Sequence, residues 1–221
     1  MSEIIASVSG VRGILGDSLT PENIIKFTSA FAKFCREKSN KNKIVVGSDG
    51  RMFGDVITGF VIDTLVLSGF EVTYIGVAPT PTIQIATAEL KASGGISVTA
   101  SHNPQQWNGL KFLNSGGTFL NEDEMNEIIR IANEDKFIYS GIDNLIQIKG
   151  DSSWIDKHIK KVLKLKILNL NKIKKRKFKV VVDAVNSSGS VIVPKLLEKL
   201  RCKVIKLFCD GSGKFPHIPE P

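Results

Sequence analysis

A layered α/β fold with a largely parallel sheet is what this sequence predicts, and three observations predict it. Short β-branched runs recur along the chain, at Ile44–Gly47, Glu71–Gly76, Gly95–Thr99 and Phe178–Asp183. Between them lie stretches with apolar residues at helical spacing, the alternation expected of crossover units. A polar loop then follows the third run, at a strand's C-terminal end, where open α/β sheets place their ligands.

The elements follow in order. Residues 4–16 begin apolar and pass into a glycine-punctuated loop around Arg12. Thr20 and Pro21 open a helix as N-cap and first helical residue. Ile24, Phe27, Phe31 and Phe34 supply its buried face. The strand Ile44–Gly47 runs into Ser48-Asp49-Gly50-Arg51, and a helix from Val56 to Leu67 ends before Gly69. The strand at 71–76, a helix at 82–92 and the strand at 95–99 follow. Leu110–Asn114 and Thr118–Leu120 flank Ser115-Gly116-Gly117, which reads as a hairpin. Asn121 and Glu124 form a capping box for a helix to about Glu134. A first domain is expected over 1–145 and a basic helix and linker over 146–177. Over 178–221 the first part of a second α/β domain is expected, with a strand, a helix through Leu200 and the strand Lys203–Phe208.

Composition excludes several function classes. Hydrophobic residues make up 42% and charged residues 24%, as in an ordinary globular chain. No apolar run reaches the roughly 18 residues that span a membrane. Met1-Ser2-Glu3 lacks the layout of a signal peptide. Cys35, Cys202 and Cys209 have no metal-binding spacing and read as reduced thiols of a cytoplasmic protein. The net charge of +8 comes from one segment: residues 157–179 hold 11 of the 30 Lys and Arg and no acid. Nucleic-acid binding is one reading of such a run. Ile159, Val162, Leu163, Ile167 and Leu170 favour another, an amphipathic helix with a solvated lysine face and an exposed His158. No nucleic-acid or membrane partner is expected.

The chemistry concentrates in Thr99-Ala100-Ser101-His102-Asn103-Pro104 and the following Asn108-Gly109-Leu110-Lys111. The loop offers a hydroxyl, an imidazole, an amide and an ammonium. Pro104 keeps it from continuing as helix. A serine held this way is a candidate nucleophile or phosphate carrier. Ser101 and His102 are neighbours in sequence and no G-x-S-x-G elbow is present, which argues against a protease-like pairing.

T-A-S-H-N-P followed by N-G-x-K resembles the phosphoserine loop of the α-D-phosphohexomutases, the family of phosphoglucomutase, phosphomannomutase and phosphoglucosamine mutase. Arg12-Gly13, the G-x-D-x-R of residues 47–51 and the Thr80-Pro81 turn are similar to further family elements. So are Asp183, Asn186 and Gly189, although Ser187 stands where glycine is common. Ser9 and Val11 stand where the family often has an acidic or aromatic residue. The final Asp210–Pro221 resembles D-G-x-F-P-H-x-P-E-P, with no chemistry assigned to His217.

The resemblance implies a layered α-β-α first domain with a mixed, largely parallel sheet. It implies phosphoryl transfer between the 1- and 6-positions of a hexose or hexosamine phosphate, through a sugar bisphosphate. Ser101 would carry the phosphoryl group, Lys111 would act as a cation or general acid–base, and His102 would relay protons. Arg12 and Asn103 would contact phosphate. Arg51 would support the loop first and touch phosphate second. Mg2+ would meet the phosphate on Ser101, its carboxylate ligands lying in an Asp-rich loop absent from this chain. The match covers residues 7–221, only domain 1 and the start of domain 2 of a four-domain family. These residues alone are therefore expected to be inactive. The S-G-V-R-G and Q-Q-W-N-G-L-K stretches lean toward the bacterial phosphoglucosamine and phosphomannomutase branch. A non-catalytic binding or regulatory module of the same fold is the competing expectation.

Overall fold

The computed structural model describes residues 3–146 and 148–219. Glu220 and Pro221, which end the last family-like segment, lie outside the described residues, as do Met1 and Ser2.

The first sheet has seven strands among the described residues. In chain order they are β1 (Ile5–Ser7), β2 (Gly10–Ile14), β3 (Lys43–Ser48), β4 (Glu71–Val77), β5 (Gly94–Val98), β6 (Trp107–Leu113) and β7 (Lys149–Gly150). They lie in the order β1-β2-β6-β5-β3-β4-β7. The β5-β3-β4-β7 half is parallel and the β1-β2-β6-β5 half antiparallel, so the sheet is mixed.

Helices cover both faces. On one lie α1 (Pro21–Lys38), α2 (Gly54–Leu67) and α4 (Glu122–Glu134); on the other lie α3 (Thr80–Glu89) and α5 (Trp154–Leu163). Strand periodicity explains the division. Ile44 and Val46 face the first core with Phe31, Ile57 and Ile128, whereas Val45 faces the second with Ile83, Trp154 and Ile159. The helix starts follow their caps. Thr20 Oγ1 accepts from the Asn23 N–H at 3.4 Å. Asn121 and Glu124 exchange side-chain and backbone bonds at 2.9 Å in each direction.

A smaller unit follows. It holds α6 (Leu170–Arg176), then β8 (Lys179–Asp183), α7 (Gly189–Lys199) and β9 (Lys203–Leu207), with β8 and β9 parallel. Ile192 of α7 joins the core under α5.

Four expectations are corrected. Arg12 stands on β2, not in a loop, because β2 pairs on one side with β1 and on the other with β6. Thr118–Leu120 forms no strand beyond one bridge between Leu113 and Phe119. Asn114 Oδ1 gathers the N–H groups of Gly116 and Thr118 into a turn, and the chain goes straight into the α4 cap. The basic stretch is two helices, since Asn169 caps α6 by accepting from the Lys172 N–H at 3.0 Å; Ile167 lies between them, 90% exposed. His158 is half-buried, its Nδ1 2.8 Å from Thr82 Oγ1.

Gly109 lets β2 and β6 approach closely: a Cβ there would collide with the Val11 carbonyl oxygen and meet Arg12 Cα at 3.0 Å. Gly109→Ala should therefore destabilise the chain by about 1–3 kcal/mol. At this chain length that is a fall of roughly 2–12 °C in Tm, readable by circular dichroism.

Candidate active site

The loop from Thr99 to Gln106 leaves β5 and returns as β6. Ser101 is exposed and sits in the left-handed region, φ 57°, at a cost of about 1–2 kcal/mol for a residue with a side chain. Two supports hold it there. Thr99 Oγ1 accepts from the Ser101 N–H at 3.0 Å and donates to Asp49 Oδ2 at 2.6 Å. Beneath the loop lies the guanidinium of Arg51, only 3% exposed.

Arg51 directs its N–H groups at the loop's backbone. Nη2 donates to the carbonyls of Ser101 and Asn103 at 2.7 and 2.8 Å. Nη1 donates to those of Pro104 and Trp107, both at 3.0 Å. Nε donates to Asp49 Oδ2 at 3.2 Å. All five donors of the guanidinium thus have protein acceptors. The expected second role of Arg51, contact with phosphate, is corrected for that reason. Burial pulls the Arg51 guanidinium down from its ordinary range and Asp49 opposes it. Burial likewise pushes the Asp49 carboxyl up, against the pull of Thr99 and Arg51.

Above the loop is a cleft of about 120 Å3. Ser101, His102 and Asn103 line one side, Ser9 and Arg12 another, and Lys111 a third. Lys111 is half-buried, and its ammonium is held below the usual lysine range by burial first and by the Arg12 charge second, with Asp49 opposing. Among the described residues Arg12 Nε is buried with no hydrogen-bond partner. No carboxylate lines the cleft among the described residues. Two cations, a serine hydroxyl and an unmet donor together describe a site for an anion. A larger groove of about 330 Å3 on Leu15, Met52, Phe53 and Trp107 has no cation in its lining and does not suit phosphate.

The structure thus brings Ser101, His102, Asn103, Arg12 and Lys111 around one cleft. Asn103 also ties the loop, its Nδ2 donating to the Ala100 carbonyl at 2.8 Å. His217 lies in the smaller unit, where its Nε2 is 2.9 Å from Asp183 Oδ2. The Ile218 carbonyl, then Asp183, push its imidazole above the usual histidine range.

The chain matches the model of phosphoglucomutase/phosphomannomutase alpha/beta/alpha domain I over residues 4–139, and that of domain II over residues 156–221. It belongs to the phosphoglucomutase/phosphomannomutase family. A phosphoglucomutase/phosphomannomutase of Thermococcus kodakarensis is 35% identical over 214 residues, covering 96% of this chain and 46% of that protein. A phosphoglucosamine/phosphogalactosamine mutase of Sulfurisphaera tokodaii gives the same identity and coverage. The crystal structure of a phosphoglucomutase/phosphomannomutase family protein from Burkholderia thailandensis matches with a TM-score of 0.79 at 26% identity, over 96% of this chain and 45% of that one. This chain therefore spans about half the length of these relatives.

Sequence reasoning missed Thr99 and Gln105. Thr99 stood in the quoted motif, and a β-branched hydroxyl two residues before a strained serine was the available signal. Gln105 had none: a long amide after a proline looks like any solvated side chain.

Two outcomes are expected. Arg51→Lys keeps the charge but loses two of the five donors, and should destabilise the chain by about 3 kcal/mol, read from the urea midpoint. Lys111 should lose its proton at lower pH than the other lysines in an NMR titration, and Arg12→Leu should move it back up. Lys111 titrating with the bulk lysines in both proteins would contradict the electrostatic account.

Proposed function

We propose that this chain is the serine-bearing part of a phosphohexomutase. The observation that carries the reading is the pairing of an exposed, backbone-strained Ser101 with two cations in a cleft without a carboxylate. The relatives are named for mutase activity on glucose, mannose and glucosamine phosphates, which supports a hexose or hexosamine phosphate as substrate. The named relatives are about twice as long as the part matched here, and no turnover is expected from these 221 residues alone.

Phosphoryl transfer needs alignment and charge neutralisation more than covalent help. A sugar hydroxyl attacks the phosphorus on Ser101. The new sugar O–P bond forms as the Ser101 O–P bond breaks, and the hydroxyl proton passes to a base. The product is a sugar bisphosphate. The reverse transfer from its other phosphate restores phosphoserine and releases the isomer. Lys111 neutralises charge on the transferring group, and its lowered pKa brings it closer to proton-transfer range. Arg12 holds a phosphate, and His102 at the cleft edge passes protons. Arg51 keeps the loop in shape.

Mg2+ is the cofactor the resemblance implies. The cleft's own residues do not fit it: their lining has no carboxylate, and no cluster of three His, Cys, Asp or Glu exists among the described residues. Nearby Asp49 is already engaged by Thr99 and Arg51. The free thiols of Cys35, Cys202 and Cys209 support a reducing, cytoplasmic setting.

The test is the phosphorylation state of the protein isolated from its own cells. Intact mass and peptide mapping should find one phosphoryl group on Ser101, absent in Ser101→Ala. An unmodified Ser101, or phosphate on another residue, would favour the non-catalytic module.

A further inference from the structure

The far side of the serine loop is fastened to the smaller unit. Gln105 Nε2 donates to the Gly213 carbonyl at 3.0 Å, and Gln105 Oε1 accepts from the Phe215 N–H at 2.7 Å. One side-chain amide therefore pairs with the backbone of two residues of the second unit, as a neighbouring strand would. The same segment presses on the Arg51 loop. A Cβ on Gly213 would strike the Gly50 carbonyl and come within 2.6 Å of the Met52 nitrogen. The Phe215 ring lies 4.8 Å from the Arg51 guanidinium carbon. A second attachment reaches Asp49, whose carbonyl accepts from Ser187 Oγ at 2.7 Å and from the Ser188 N–H at 2.8 Å. Asn186 holds segment 210–214 itself, accepting from the N–H groups of Asp210 and Gly213 and donating to the Lys214 carbonyl.

We infer that Gln105 is a positioning residue that ties the conformation of the Ser101 loop to segment 213–215 of the second unit. The loop has two anchors. Arg51 grips its carbonyls from within the first domain, and Gln105 registers its outer turn against the second. The inference rests on the reading of Ser101 as the reactive residue for its functional meaning, and on geometry alone for the mechanical link. Loosening the amide frees the loop without touching any group that faces the cleft, because Gln105 is not part of the cleft's lining.

The test is residue-resolved hydrogen exchange on the 221-residue chain. Three amides report on the loop: Ser101, Asn103 and Trp107, bonded to Thr99 Oγ1 and to the Ala100 and Pro104 carbonyls. Gly213, bonded to the Asn186 carbonyl, reports on the second unit. Gln105→Ala removes two hydrogen bonds and should speed exchange at all four amides by about tenfold. Gln106→Ala, a truncation at an exposed neighbour in the same loop, should leave them unchanged. Gly213→Ala approaches from the opposite side and should loosen the same loop amides, which keeps the question open to decision if Gln105→Ala folds poorly. Faster exchange at Gly213 alone would overturn the inference, since Gln105 would then only seat the second unit. So would equal acceleration by Gln106→Ala, or no change in any variant. Phosphorylation of Ser101 is scored separately in the wild-type protein. If it is absent while the exchange pattern holds, the phosphohexomutase reading fails and the mechanical link stands.

Discussion

One buried guanidinium organises the functional end of this molecule. A loop that turns back within a few residues aims several carbonyls inward, and those oxygens need donors. Helix and strand cannot supply them, because the loop's neighbours along the chain are committed to β5 and β6. Arg51 supplies them from below: a planar fork of five N–H groups meets three loop carbonyls, the Trp107 carbonyl at the start of β6 and one carboxylate. A lysine in that place would offer a compact charge with three donors and no fixed plane. Asp49 keeps the fork aligned, Thr99 links Asp49 to the Ser101 amide, and Phe215 covers the guanidinium from the second unit. The shape of the loop is thus set by electrostatics in a buried place, where such bonds are stronger than in water.

The same arrangement sorts the charges. The negative Asp49 is turned toward Arg51 and Thr99, so its charge is answered inside the protein. Among the described residues Arg12 and Lys111 are left as the charged groups lining the cleft, and burial together with the Arg12 charge raises the cost of the Lys111 proton. An anionic ligand offsets both. The lysine-rich stretch of 157–179 lies away from this balance, around α5 and α6, where Lys161 pairs with Glu89 and Lys157 with Asp151. A basic chain and a basic cleft are here two separate facts.

The crossover units, the helix caps and the serine motif were legible in the sequence because each is a local signal. A strand of Ile44, Val45 and Val46, or a Thr20-Pro21 helix start, declares itself within a few residues. Arg12 was misread as a loop residue because glycines on both sides look like flexibility. Its strand comes from pairing with Gly109 about a hundred residues away, and no local window contains that partner. The lysines around His158 in sequence predict an exposed side chain, yet the helical period turns it toward Thr82. Thr118–Leu120 looked like a returning strand until the side chain of Asn114 closed the turn. The role of Gln105 was out of reach for the same reason as the pairing of Arg12: its partners, Gly213 and Phe215, lie more than a hundred positions later.

The left-handed backbone at Ser101 has an evolutionary side. Judged by conformation alone, glycine would sit there with less strain, and asparagine would be tolerated better than serine. The serine stands against the preference of its own peptide unit, and Thr99 and Arg51 absorb the difference. If Ser101 carries the phosphoryl group as proposed, such a position is under two opposed pressures, one for foldedness and one for chemistry. In a lineage that lost the need for the hydroxyl, drift at this codon would run toward glycine. The residue found there in a distant homologue is therefore a record of whether that homologue still uses it.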